Sequence, residues 1–196
     1  MTSEALHTWC TTRARNLDAL QGAHVSVTGG LPGRPSLTTE LNHALISRLA
    51  SELQGFCRDL HDQAADGLLT RATVPDDSIR QILRARIEDG RKLDSGNANA
   101  GNLGNDFLRM GLRLWPNIHT AFPRRGAAWH DWVEWLNLAR NGIVHNDPIK
   151  MNQAATVHPL TLATFRSARG SLNQLAAGMD AVVETYLTFK TGVAPW

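Results

Sequence analysis

The sequence is poor in cysteine, in lysine and in long apolar runs, and each shortage excludes a class of protein. No run of about 18 apolar residues occurs, so a membrane-spanning helix is not expected. The first ten residues lack the basic and apolar regions of a secretory signal, which predicts a cytoplasmic protein. The two cysteines, Cys10 and Cys57, form no Cys-x-x-Cys motif, so we expect reduced thiols in the core.

The sequence also lacks the short motifs on which common hydrolase, nucleotide and metal chemistries depend. It has no Walker A sequence, no Gly-x-Ser-x-Gly elbow and no His-Glu-x-x-His pair. The glycine-rich run VTGGLPG has no Lys-Ser or Lys-Thr pair after it, so it is not expected to hold a phosphate. His61 and Asp62 have no second histidine at helical spacing. We therefore expect neither a metal nor a cofactor.

The composition favours a folded domain with a strong preference for arginine. The 196 residues are 42% hydrophobic and 19% charged, which supplies a core and predicts a single domain over residues 1–196. Arginine provides 17 of the 20 basic residues. Arginine suits paired contacts with phosphate better than lysine does. A GC-rich coding bias produces the same preference, so both explanations stay open.

Apolar residues recur at helical spacing over most of the chain. The pattern predicts helices at residues 4–20, 37–66, 75–91, 106–115, 127–145 and 159–190. Polar, glycine-rich or proline-containing connections are predicted at residues 21–36, 94–105, 117–126 and 146–158. Long helices joined by such loops indicate an all-α antiparallel bundle of five or six helices. We expect the N-terminal helix, residues 1–20, and the tether, residues 21–36, to be appended to a bundle that spans residues 37–190.

One segment, residues 132–148, combines an apolar helix with a polar end suited to chemistry. On an ideal helix Arg140 and His145 are separated by about 7.5 Å of rise and about 140° of rotation, so they share an edge only loosely. The spacing alone is not specific, because Arg125 and His130 repeat it. Only Arg140 lies within an amphipathic helix, is followed at once by an amide, and leads to a histidine at a helix end.

The run LARNGIVHND, residues 138–147, resembles the Arg-x4-6-His signature of the HEPN superfamily, in which Asn, Asp or His follows the arginine. The helix at residues 40–64 resembles an early helix of bacterial HEPN proteins near the RiboL-PSP-HEPN branch, and elsewhere the resemblance is one of fold. It implies an all-α homodimeric, metal-independent endoribonuclease with three catalytic residues: Arg140, Asn141 and His145. It also implies a toxin or antiviral defence component with a neutralising antitoxin or defence partner.

Cleavage of RNA by its own 2′-hydroxyl requires residues of these types. A base must take the 2′ proton, an acid must protonate the 5′-oxygen, and positive charge must stabilise the crowded phosphate. Histidine, with an unperturbed pKa near 6.5, can perform either proton transfer, and arginine supplies the charge. A twofold dimer would bring two copies of Arg140 and of His145 to one cleft.

Other residues near the segment have a functional and an ordinary interpretation. Asn146, Arg124 and Arg125 are predicted to contact RNA, although Asn146 together with Asp147 also fits a plain turn before Pro148. That proline occupies the tyrosine position of the His-x-x-Tyr extension through which some HEPN toxins are inactivated. Three polar residues of the second helix either reach the motif or, as the better interpretation, form a solvated face: Arg48, Glu52 and Asp59.

Two further functions remain open at this point. One is a non-catalytic HEPN-like helical module that binds RNA, a nucleotide or a protein. The other is a purely structural helical oligomer, which would not retain RNA at moderate salt. Binding through phosphates weakens steeply as the salt concentration rises, so salt dependence separates the last case from the others.

Overall fold

The computed structural model describes residues 1–28, 35–74 and 76–196, and within these ranges the protein is all helical, without strands. A π-helical turn, Trp9–Arg13, joins the first two helices. The α-helices are α1 Glu4–Thr8, α2 Ala14–Thr28, α3 Pro35–Arg71, α4 Asp77–Glu88, α5 Lys92–Ser95, α6 Ala100–Leu108, α7 Leu114–Ala121, α8 Gly126–Val144, α9 Pro148–Val157 and α10 Leu162–Thr191. The predicted all-α class is confirmed. The described residues form more helices than the five or six expected, and several of these are short, whereas α3 is longer than predicted. In the described part of the chain, no helix has both the length and the apolarity to cross a membrane.

The core lies between the long helices α3 and α10, against which α8 packs. The apolar stripes predicted on these helices point inward, and their largest side chains are fully buried: Leu53, Phe56 and Leu60 on α3, and Phe165, Leu172 and Met179 on α10. Each buried leucine or phenylalanine contributes about 1.5–3 kcal/mol relative to its exposed state. The burial therefore fixes α8, which carries the candidate motif, against a rigid pair of helices.

The predicted tether at residues 21–36 is wrong over its first part, because α2 continues as a helix to Thr28. His24 is buried and its ring Nε2 lies 2.9 Å from the Asn42 side-chain oxygen of α3, a tertiary contact that helical propensity does not reveal. Residues 29–34 of the predicted tether are outside the described ranges. Buried Trp9 and Leu17 also pack the N-terminal helices against the bundle.

The predicted exposed loop at residues 94–105 is also wrong. This segment contains the end of α5 and the start of α6, and Ala98, Ala100 and Leu103 are buried. Two of its asparagines, Asn99 and Asn102, bond to backbone groups within the segment. The Asn99 side chain accepts from the Asn102 backbone N–H and caps α6, as expected for asparagine at a helix start.

Two prolines that follow the predicted helices 106–115 and 127–145 lie at helix starts. Pro116 lies in the first turn of α7, and Pro148 is the first residue of α9. A proline in the first turn removes no helical hydrogen bond, because that N–H has no partner within the helix. The cysteine prediction is half right, since Cys57 is buried and Cys10 is exposed.

Candidate active site

The polar end of α8 is a tightly defined helix terminus. Asn146 adopts the left-handed conformation, with φ of 49°, directly after the last helical residues. Its backbone N–H donates to the Ile143 carbonyl at 3.1 Å, and the N–H of Asp147 donates to the Gly142 carbonyl at 2.8 Å. This pair of bonds is the Schellman arrangement, in which asparagine is a common substitute for glycine. Asn146 therefore has a structural role at this turn.

After this short turn the chain enters α9 at Pro148. Asp147 caps α9, and its carboxylate accepts from the N–H groups of Ile149 and Lys150 at 3.0 and 3.1 Å. Gly142 is buried where α9 crosses, and a methyl group there would lie 2.8 Å from the Met151 nitrogen. Glycine at this position therefore permits the close approach of α9 to α8.

Arg140 lies in α8, four residues before the last helical residue, and no ion pair among the described residues neutralises its charge. Its guanidinium is half-buried and donates from Nη1 to the Asn141 side-chain oxygen at 3.1 Å. Five other arginines pair with carboxylates: Arg13, Arg48, Arg84, Arg91 and Arg169. Among the described residues, none places a carboxylate within ion-pairing distance of Arg140, so its charge remains available to an anion.

Asn141 is held by two further asparagines, which the sequence analysis missed. Its side-chain oxygen accepts from Asn97 Nδ2 at 2.6 Å, and its own Nδ2 lies 3.4 Å from the Asn137 oxygen. Asn137 is four residues before Asn141 on the same helix, a spacing visible in the sequence. Asn97 is 44 positions away in sequence, and no local pattern could have indicated it.

A narrow recess opens beside this asparagine cluster, between α3 and α8. Its lining combines four polar residues, Arg140, Asn137, Asn97 and Gln54, with five apolar ones: Ala50, Leu53, Ala98, Val133 and Leu136. The recess is only about 10 Å³, too small for a phosphate. The Gln54 amide already donates to two backbone carbonyls and Asn97 donates to Asn141, so Arg140 is the charged lining group left to meet an anion.

His145 caps the C-terminal end of α8, and its side chain is exposed. In the described part of the chain its ring makes no hydrogen bond, and the carboxylate of nearby Asp147 accepts from the N–H groups at the start of α9. Five helical positions separate His145 from Arg140, so the two side chains leave the helix about 140° apart. Within one chain the two positions therefore share an edge of the helix only loosely.

Arg124 and Arg125 lie at the opposite end of α8. Both are exposed, and Arg125 precedes the first helical residue. Fifteen helical positions correspond to about 22 Å, so this pair is not brought to Arg140 within one chain. His130, which repeats the motif spacing from Arg125, packs edge-on against the Trp115 ring with centroids 4.7 Å apart.

The tryptophans of α8 belong to the core. Trp129 and Trp135 are buried, and the Trp135 ring N–H donates to the Ala154 carbonyl at 3.0 Å. Trp132 is half-buried and stacks on His158, with ring centroids 4.2 Å apart and planes inclined by 13°. Base stacking by these rings would compete with these contacts.

The polar residues of α3 face the N-terminal helices instead of the motif. Glu52 is only 3% exposed and accepts from Arg13 at 2.8 Å, so the solvated-face prediction is wrong for this residue. Asp59 pairs with the same arginine at 2.7 Å, and Arg48 contacts Glu52 at 2.6 Å. Burial raises the pKa of Glu52, and hydrogen bonds from three neighbours outweigh this effect and leave the pKa below its usual value: Arg13, Asn16 and Arg48.

Comparison of the chain with models of known protein families, with curated proteins and with solved structures finds no match. The described residues include no group of three or more His, Cys, Asp or Glu side chains placed to hold a metal ion. The fold defines the class, an all-α helical bundle, and the end of α8 carries the candidate functional groups.

Proposed function

We propose that this protein is a metal-independent endoribonuclease of the HEPN type, with an active site shared by two copies of the chain. The observation that carries the proposal is the unpaired guanidinium of Arg140, held among amides, close in sequence to the exposed imidazole of His145. A guanidinium without a carboxylate partner attracts phosphate, and an exposed imidazole can exchange protons at neutral pH.

The proposed reaction begins when the RNA 2′-oxygen attacks the adjacent phosphorus. One His145 takes the 2′ proton as the new bond forms, and the bond from phosphorus to the 5′-oxygen breaks. The second His145 gives a proton to the departing 5′-oxygen. Arg140 stabilises the additional negative charge on the phosphate oxygens during the transfer. The products are a 2′,3′-cyclic phosphate and a 5′-hydroxyl.

The need for two copies follows from the number and direction of these groups. One chain supplies a single imidazole at this end of α8, whereas the reaction uses a base and an acid. A twofold axis near the helix end duplicates both groups around one cleft. Val144 and Ile149, which adjoin His145, are 51% and 69% exposed, and a contact between two copies would cover them.

The resemblance to HEPN proteins also supports a biological setting for the proposal. The chain would act in the cytoplasm as a toxin or as an antiviral defence component that cleaves RNA when released. A neutralising antitoxin or another defence protein would hold it inactive. Asn146, Arg124 and Arg125 would contribute contacts to RNA outside the reacting phosphate, as exposed polar groups do in other phosphate-binding surfaces.

One observation favours the alternative of a non-catalytic binding module. In the described part of the chain no hydrogen bond orients the His145 ring, whereas a proton-transferring histidine is usually held by a neighbour. A module of this kind would hold RNA, a nucleotide or a protein through Arg140 and its amides without cleaving anything.

The deciding experiment is incubation of the purified protein with RNA in the presence of EDTA. We expect cleavage that leaves 2′,3′-cyclic phosphate ends and that is lost in His145→Ala. His130→Ala is the matched control, because His130 repeats the spacing on the same helix but packs against Trp115, and it should still cleave. Cleavage that needs added metal, or that survives in His145→Ala, contradicts the proposal. Binding without any cleavage supports the module.

A further inference from the structure

The segment between α5 and α6 is fixed to the bundle by side-chain hydrogen bonds. Gln54 of α3 donates from Nε2 to the carbonyl oxygens of Leu93 and Gly96, at 2.9 and 2.7 Å. Asn102 Nδ2 donates to the Asn97 carbonyl at 2.8 Å. The backbone on both sides of the Asn97 side chain is therefore held, which is unusual for a stretch so rich in glycine and asparagine.

The Asn97 side chain and the Arg140 guanidinium meet at the Asn141 amide, and because a guanidinium can only donate, it is the Asn141 oxygen that faces both. The Asn141 oxygen accepts from Asn97 Nδ2 at 2.6 Å and from Arg140 Nη1 at 3.1 Å. An amide can turn over and exchange its oxygen and nitrogen, and only its neighbours decide between the two orientations. The contact with Asn137 is long, at 3.4 Å, so Asn97 is the stronger of the two asparagine partners.

We infer that Asn97 is a positioning residue that, through Asn141, holds the Arg140 guanidinium for an RNA phosphate. With Nη1 engaged by Asn141, the edge formed by Nε and Nη2 stays open and can hold two phosphate oxygens at once. Without Asn97 the guanidinium keeps its charge but loses its fixed direction. The inference rests on the proposed function, since it assigns the substrate group that Arg140 binds.

The first test follows the Arg140 side chain itself by 15N nuclear magnetic resonance, with Arg140→Lys used to assign its signals. In the wild-type chain we expect slowed rotation of the guanidinium. In Asn97→Ala we expect the rapid rotation of an exposed arginine such as Arg125. Asn99→Ala is the matched control, because it removes the α6 cap two residues away without removing the hydrogen bond to Asn141. Equal rotation rates in wild type and Asn97→Ala overturn the inference.

The second test separates binding from turnover. Asn97→Ala should bind RNA that contains 2′-deoxy substitutions, and so cannot react, within about threefold of wild type, because the charge of Arg140 remains. Its kcat should fall about 10- to 100-fold, which is typical when a group is displaced by about 1 Å. Asn97→Asp should lose affinity as well, since the new carboxylate neutralises Arg140. Asn99→Ala should change neither the RNA affinity nor kcat by more than about threefold. If kcat of Asn99→Ala falls as far as that of Asn97→Ala, the effect comes from a general loosening of the segment, and the inference is contradicted.

The two tests distinguish failure of the inference from failure of the proposed function. If the wild-type chain cleaves no RNA in EDTA, the ribonuclease proposal fails, and the rotation of Arg140 still decides whether Asn97 positions it. If the wild-type chain cleaves RNA and Asn97→Ala turns over at the wild-type rate, the inference fails and the ribonuclease proposal stands.

Discussion

Replacing Gly142 by alanine tests the close approach of α9 that shapes the end of α8. A methyl group there would lie 2.8 Å from the Met151 backbone nitrogen and 2.9 Å from its Cγ, and the backbone atom cannot turn aside. Inserting a methyl group into so tight a contact costs about 1–3 kcal/mol. The gain in helix propensity from glycine to alanine offsets about 1 kcal/mol of this cost.

Gly170→Ala is the control that isolates the packing cost. Gly170 lies on an exposed face of α10, and a methyl group there would meet no atom within 4 Å. Both variants gain the same propensity, so the difference between them is the packing cost alone. At about 2–4 °C per kcal/mol for a chain of this size, Gly142→Ala should melt roughly 2–12 °C below Gly170→Ala in circular dichroism. Equal melting temperatures would refute the close packing of α8 on α9.

Three other predictions concern the thiols, the buried carboxylate and the helix end. Burial raises the pKa of the Cys57 thiol, so an alkylating reagent should modify only Cys10 in the native protein and both cysteines in denaturant, as mass spectrometry would show. The pKa of Glu52 lies below its ordinary value of 4.5, so its stabilisation is full above that value and is lost as the pH falls through the folded pKa. Glu52→Gln should therefore be less stable at pH 7 and lose less stability than wild type on acidification, and parallel pH curves would contradict this. Asn146→Gly should keep or raise the melting temperature, because glycine suits a positive φ, and a clear fall would contradict the turn geometry.

The long helices could be predicted from the sequence because their apolar stripes run over many turns. The stripes of α3 and α10 repeat at helical spacing, so the periodicity outweighs local exceptions. The candidate motif was likewise visible, since Arg140, Asn141 and His145 are neighbours in the chain. Its local geometry, with Asn141 beside Arg140 and His145 at the helix end, follows from helix geometry and the position of the terminus.

The parts that were predicted wrongly depend on contacts between distant residues. The segment at residues 94–105 is polar in sequence, but the buried Asp106 carboxylate accepts from the N–H groups of Lys92 and Leu93 and helps to fold it onto the bundle. Glu52 was expected at a solvated face because the sequence around it gives no sign of a partner. Its partner, Arg13, lies 39 positions earlier. Asn97 likewise reaches the site through a tertiary contact with Asn141, which no pattern in the neighbouring sequence indicates.

The most direct test of the shared active site is a titration of wild-type protein with His145→Ala at constant total concentration, after subunit exchange. If each cleft needs both histidines, only dimers of two wild-type chains are active, and an equal mixture should retain about one quarter of the wild-type cleavage. If each chain acts alone, the same mixture should retain about one half. A fall with the square of the wild-type fraction is the predicted result, and a linear fall would contradict the shared site.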